Sequence, residues 1–242
     1  MKIQQPLISI IMPCGKDVRR ITAALVTLNA YFEKKSFSYE LILLPYTTST
    51  HIKDILHRFI SIIPHTRIQE VKGGHEGIAI QKGMLEAHGL IRMYMTPIAA
   101  SSITSYETIE QWFRKGYDVI VGSRIHTTVS SLTRIPFLER VFQWIMQRIL
   151  APSVYDTDNG WAAYSQKSAI ILFPHTVACT ATIIRESIAL AHIQQLKVKE
   201  LYLEHHTFSS SRKLSLYLKG IIEAIHIRIR LSTRAYAIKK PL

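Results

Sequence analysis

Leu7-Ile8-Ser9-Ile10-Ile11-Met12-Pro13 carries one hydroxyl and no charge, and a proline closes it. A short apolar run halted by a breaker is how a strand buried on both faces reads, and such strands belong to parallel sheets covered by helices. Working outward, similar runs near 40–44, 67–71, 91–95 and 117–121 predict further strands. Between them, segments of helical period fall near 17–33, 51–62, 77–88 and 104–115. This alternation predicts an α/β fold, a doubly wound, mostly parallel sheet flanked by helices. Ligands of open sheets bind beyond the carboxyl ends of the strands. Chemistry is therefore sought in the loops opening at Pro13, Pro45, Lys72, Thr96 and Gly122.

After Gly122 the pattern changes to a basic, aromatic helix from Ile135 to Leu150, then a loop around Tyr155 to Gly160. A helix near 181–194 precedes a strand near 197–203. The last segment, Leu214 to Leu231, alternates in places, but helix is preferred. Leu214, Leu218, Ile221, Ile222, Ile225 and Ile229 share one helical face, with Lys219, Arg230 and Arg234 opposite. No linker and no internal repeat marks a boundary, so 1–242 is read as one domain.

The chain has 242 residues, 48% of them apolar, which suffices for a core and argues against disorder. Thirty Lys and Arg against 17 Asp and Glu give a charge of +13, and the segment from Lys197 onward carries much of it. No helix-turn-helix, zinc-finger or aromatic RNA-binding motif accompanies the charge, so nucleic acid is not the expected partner. Cys14 and Cys179 lie far apart without ligand spacing, which indicates neither a zinc site nor a disulfide framework, and a reducing compartment is the default. The eleven histidines form no recognised ligand motif. Pro174 and His175 interrupt the longest uncharged run, Ser168 to Ile184, which argues against a membrane span. The N-terminus could pass for a short signal peptide with Cys14 as a lipidation site, but the apolar run is short and Pro13 stands where a small residue is needed, so a buried first strand is expected.

Five segments, taken in order, resemble the family 2 glycosyltransferases of GT-A fold, most closely the dolichyl- or polyprenyl-phosphate sugar synthases. They are Ile8 to Pro13, Gly77-Ile78-Ala79-Ile80-Gln81-Lys82-Gly83-Met84, Asp118-Val119-Ile120-Val121-Gly122-Ser123-Arg124, Asp156-Thr157-Asp158-Asn159-Gly160-Trp161, and Lys213-Leu214-Ser215. The resemblance covers nearly the whole chain. It implies a nucleotide-binding-like half (1–125), an acceptor-side half (126–212) and a basic amphipathic C-terminal helix (213–242).

The family's acidic loop residues are mostly replaced. Its Pro-x-Tyr-Asn-Glu pattern survives here as Pro13 and Asp17 alone, and the paired aspartates after the second strand become Pro45 and Tyr46. Its cation-binding Asp-x-Asp becomes Thr96-Pro97-Ile98, and Glu76 replaces a lysine. A hard divalent cation requires charged oxygen ligands, so no metal site and no cofactor are expected. Asp156-Thr157-Asp158 could pair two carboxylates on a cation, but the resemblance places this loop on the acceptor side.

By resemblance, Pro13, Asp17, Gly77, Gly83 and Thr96 are remnants of the donor loops, Asp156 is the catalytic candidate, and Thr157 and Gly160 belong to the acceptor loop. A turn that only shapes that loop is the competing reading of Asp156. Arg124 and Lys213 would face an acceptor phosphate, Arg through paired donors and Lys as a point charge. The function expected is a degenerate glycosyltransferase-like binding or regulatory subunit, cytoplasmic or peripheral on the cytoplasmic membrane face. Its expected partners are a polyprenyl-phosphate lipid, an anionic membrane surface, an intact transferase or a membrane protein. The alternative is an active, metal-independent transfer from nucleotide sugar to polyprenyl phosphate. The C-terminal helix, with Phe137, Phe142, Trp144 and Ile145 beside Arg134, Arg140 and Arg148, suits an anionic membrane surface.

Overall fold

The computed structural model describes residues 5–71, 74–123, 137–150, 160–202, 214–233 and 236. Seven strands form one sheet: β1 (Ile8–Cys14), β2 (Tyr39–Pro45), β3 (Thr66–Ile68), β4 (Ile91–Met95), β5 (Val119–Ser123), β6 (Trp161–Ser165) and β7 (Val198–Tyr202). Their order is β3-β2-β1-β4-β6-β5-β7, so β3 and β7 are the two rims. All pairings are parallel except those of β6, which runs antiparallel to both β4 and β5.

The helices are α1 (Val18–Phe32), α2 (Thr50–Ile60), α3 (Glu76–Glu86), α4 (Tyr106–Arg114), α5 (Phe137–Ile149), α6 (Gln166–Leu172), α7 (Thr182–Ile193) and α8 (Leu214–Ser232). A 3-10 segment, Pro97–Ser105, leads into α4. The expected elements are present to within a few residues, β3 being the shortest. Two central elements, β6 and α6, were not expected from the pattern.

Every residue of β1 is buried, and its side chains alternate between two cores. Ile8, Ile10 and Met12 join Leu41 and Leu43 under α1, α2, the 3-10 segment and α4. Ile11 joins Ile42 and Leu44 under α3 and the later helices. Both faces of the sheet are therefore covered, which is why its strands read as unbroken apolar runs. Each fully buried aliphatic side chain contributes roughly 1.5–3 kcal/mol to the burial term.

α8 keeps Leu218, Ile222, Ile225 and Ile229 on one face, as expected, but a different face packs on the core. Its core stripe is Tyr217, Gly220, Ala224 and Ile227, while Leu218, Ile222, Ile225 and Ile229 are exposed. Small residues fill the buried stripe because α5 packs close, with the Phe142 ring against Gly220 and edge-on to Tyr217. Phe142 itself is buried and Ile145 half-buried, so neither stands with exposed Phe137 and Trp144.

At the amino edge of the sheet, fully buried Ser9 donates to Glu40 Oε1 at 2.5 Å and accepts the Gly89 N–H at 2.7 Å. Burial would raise the Glu40 carboxyl, but the donors Ser9 and His88, with Arg67 nearby, outweigh it and hold it below its ordinary value. Ser9→Ala is expected to cost about 1.5–3 kcal/mol at neutral pH, since it strips a hydrogen bond from a charged acceptor. A depressed folded-state carboxyl stabilises above its unfolded value and loses that contribution as pH falls through the folded one. The gap between parent and variant in urea midpoint should therefore narrow on acidification.

Candidate functional site

The carboxyl ends of β1, β2 and β4 meet at one edge of the sheet. β1 delivers Cys14, whose buried thiol is pushed up to about 12 by desolvation, and then Gly15. Pro13 is buried in register with Leu44, two residues beyond the last β4 partner of β1, Ile11. Exposed Asp17 accepts the Arg20 N–H at 3.1 Å and pairs with the Arg20 guanidinium, so it caps α1. Its carboxylate is committed to the helix start.

β2 ends in Pro45, and Tyr46 follows, its N–H donating to the Cys14 carbonyl at 3.3 Å. The Tyr46 hydroxyl lies over Gly15, where an added Cβ would come within 2.5 Å of it. Burial, then the Glu76 charge, push this phenol well above its ordinary range. The crevice between the ends of β1 and β2 thus holds a neutral aromatic ring.

α3 opens against the loop before α7. The Gly77 N–H donates to the Cys179 carbonyl at 2.8 Å. A Cβ on Gly77 would sit 2.6 Å from the Cys179 carbonyl carbon and closer still to the Ala178 oxygen. Gly83, two turns on, rests on Ile11 and Leu44. The two glycines seat α3 against loop and sheet, and the Gly77 donor is already used.

At the end of β4 the structure brings together two residues singled out from the sequence. The Thr96 N–H donates to the Gly160 carbonyl at 2.7 Å. Gly160 has φ +86, a left-handed conformation, and a Cβ there would collide with Thr96 Oγ1. That hydroxyl is buried and has no hydrogen-bond partner among the described residues.

Two carboxylates of the helical layer were missed in the sequence, Glu186 fully buried and Glu223 half-buried. Glu186 of α7 is fully buried and accepts the N–H groups of Val177 and Ala178 at 2.9 Å each and the Tyr236 hydroxyl at 2.5 Å. Desolvation raises its carboxyl more than Tyr236, Ala178, Val177 and Arg230 lower it. Glu223 of α8 accepts the Thr180 hydroxyl at 2.5 Å and the Cys179 N–H at 3.2 Å. Together they fix the loop on which Gly77 rests. For Glu186 the available signal was a short polar interruption, Arg185-Glu186-Ser187, inside a helix that is apolar on either side. Arg124, Asp156, Thr157 and Lys213 lie outside the described residues.

No protein-family profile matches the chain. The dolichyl-phosphate beta-glucosyltransferase ALG5D of Trichomonas vaginalis is 20% identical over 244 residues, spanning 93% of this chain and 74% of that protein. The crystal structure of glucosyl-3-phosphoglycerate synthase from Mycobacterium tuberculosis matches with a TM-score of 0.64 at 11% identity, over 93% of this chain and 79% of that one. Mannosyl-3-phosphoglycerate synthase from Rubrobacter xylanophilus gives 0.62 at 10% identity, over 98% and 78%. The fold is GT-A. The chain is glycosyltransferase-like: its sheet matches GT-A synthases, and its sequence is similar to a dolichyl-phosphate glucosyltransferase.

At the end of β4, where the resemblance would put the cation-binding motif, stand Thr96, Pro97 and Ile98. One hydroxyl pressed against a glycine, one ring and one alkyl chain do not fit a divalent cation, which takes several charged oxygens at close range. A groove of about 360 Å³, lined in part by Leu150, His192, Arg228 and Leu231, lies elsewhere. α7 begins beside Gly77 and ends before β7, which places that groove at the amino edge, away from the GT-A ligand edge.

Proposed function

We propose that this chain is a glycosyltransferase-like protein that no longer grips a metal-bridged nucleotide sugar and serves as a binding or regulatory subunit at a membrane surface. The reading rests first on the strand ends: Tyr46 stands over Gly15 where the family holds a nucleotide with aspartates. Two further features support it. Thr96 is pinned beneath Gly160, and the only acid retained in the β1 loop, Asp17, caps α1. A departing diphosphate needs compensating charge placed where its own charge develops. Glu76 beside Tyr46 supplies the opposite sign.

The acceptor side supports a lipid connection, since the Trichomonas relative is named for action on dolichyl phosphate. An anionic bilayer or polyprenyl-phosphate lipid, with an intact transferase or membrane protein as companion, is the partner set this reading assigns. No described helix is long and apolar enough to cross a membrane, so attachment would be peripheral. With both cysteines free, the cytoplasmic face is the side assigned.

Titration calorimetry with UDP-glucose, GDP-mannose and other nucleotide sugars, each with manganese or magnesium, should give no binding heat. Radiolabelled sugar should not pass to polyprenyl phosphate. Tight metal-dependent binding would overturn the reading, and transfer that persists in chelator would establish the metal-independent enzyme instead.

A further inference from the structure

Fifteen large apolar residues are exposed among the described residues, and eight of them lie on two helices packed against one another. On α5 these are Phe137, Leu138, Val141 and Trp144, and on α8 Leu218, Ile222, Ile225 and Ile229. The α8 spacings of four, three and four residues draw one stripe along the helix, opposite the Tyr217–Ala224–Ile227 stripe in the core. Each helix therefore buries one apolar face and shows another to solvent. Surface helices that only cover a sheet need one.

The charges decide the occupant. Arg140 lies over the Phe137 ring at 5.8 Å and Arg148 over the Trp144 ring at 5.6 Å, and both arginines are exposed. Lys219 and Arg228 add cations on α8. The acids of these two helices face away: Glu139 is buried, and Glu223 holds Thr180 and the Cys179 N–H. An apolar ridge bordered by cations and, among the described residues of the two helices, free of exposed carboxylates repels a second copy of itself. It complements an anionic lipid surface, where rings and aliphatic side chains enter the headgroup boundary and basic side chains stay at the phosphates.

We infer that the outer faces of α5 and α8 form the surface by which this chain docks on anionic bilayers, with Trp144, Ile222, Ile225 and Ile229 inserted and Arg140 and Arg148 at the headgroups. The inference rests on the peripheral membrane reading above and assigns the residues that carry it. It is independent of the state of the donor pocket.

Flotation with phosphatidylcholine vesicles, with and without phosphatidylglycerol, tests it on the full chain. Binding should require the anionic lipid and weaken with salt. The exposed pairs Ile222→Asn with Ile229→Asn, and Arg140→Glu with Arg148→Glu, should each lower partitioning by on the order of tenfold or more while leaving circular dichroism and melting unchanged. Tryptophan emission should shift to the blue on vesicle addition, and Trp144→Phe should remove that shift. Equal binding to both vesicle types overturns the inference, as does a dimer in analytical ultracentrifugation that the same pairs dissolve. Anionic-lipid binding untouched by the pairs overturns this face while leaving peripheral attachment standing. Absence of vesicle binding removes both.

Discussion

Gly77→Ala is expected to destabilise the fold by about 3 kcal/mol, lowering the melting midpoint by roughly 6–12 °C for a chain of this size. The reason is the nature of the neighbours. An added methyl would meet the carbonyls of Ala178 and Thr180 and the carbonyl carbon of Cys179, all backbone atoms. That loop cannot retreat, because Glu186 holds Val177 and Ala178 from one side and Glu223 holds Cys179 and Thr180 from the other. Gly83→Ala makes the informative comparison: its methyl would press on the Ile11 Cγ2 and Leu44 Cδ1 methyls, side-chain atoms and not backbone, so its cost should be smaller. Thermal melts of the two variants decide the matter. A Gly77→Ala protein that melts with the parent, or a costlier Gly83→Ala, would refute this account of α3 seating.

Glu186→Ala is expected to cost about 3–5 kcal/mol, because two backbone N–H groups and the Tyr236 hydroxyl lose their acceptor in a dry interior. Glu186→Gln, which keeps an oxygen, should cost less. The pH dependence separates the charge from the shape. Burial raises the folded-state carboxyl, so the native chain binds the proton more tightly than the unfolded one. The contribution of this group is therefore most favourable below its unfolded value and declines as pH rises through the folded one. Glu40 has the opposite slope. Urea denaturation of parent and Glu186→Gln across the acid range should show the variant losing less stability as pH rises. A parallel pair of pH profiles would contradict the raised carboxyl.

The doubly wound plan was legible because β1, β2 and β4 are mostly apolar, with side chains buried on both faces, and end at breakers or polar loops. β6 was not legible. Trp161-Ala162-Ala163-Tyr164-Ser165 contains two alanines, poor strand formers, and is too short to show a period. It is a strand because β4 and β5 supply partners on both sides. The core stripe of α8 was not legible for a related reason: Gly220 and Ala224 carry little apolar signal, so the exposed isoleucines dominated the pattern. At the candidate site, the scarcity of acids in the strand-end loops could be read from residue identity alone. That Tyr46 covers Gly15, and that Gly160 bears on Thr96, depends on contacts between residues far apart in the chain, which local pattern does not encode.

The sheet's borders have a practical consequence. β3 offers only three residues, and β7 sets Lys199 and Glu200 side by side between apolar neighbours while Lys199 leans over the Trp112 ring at 4.4 Å. A short ladder on one side and a charged one on the other give an incoming extended peptide little to zip onto. Fibril growth by edgewise stacking is thereby discouraged, so a concentrated sample should stay free of cross-β assemblies.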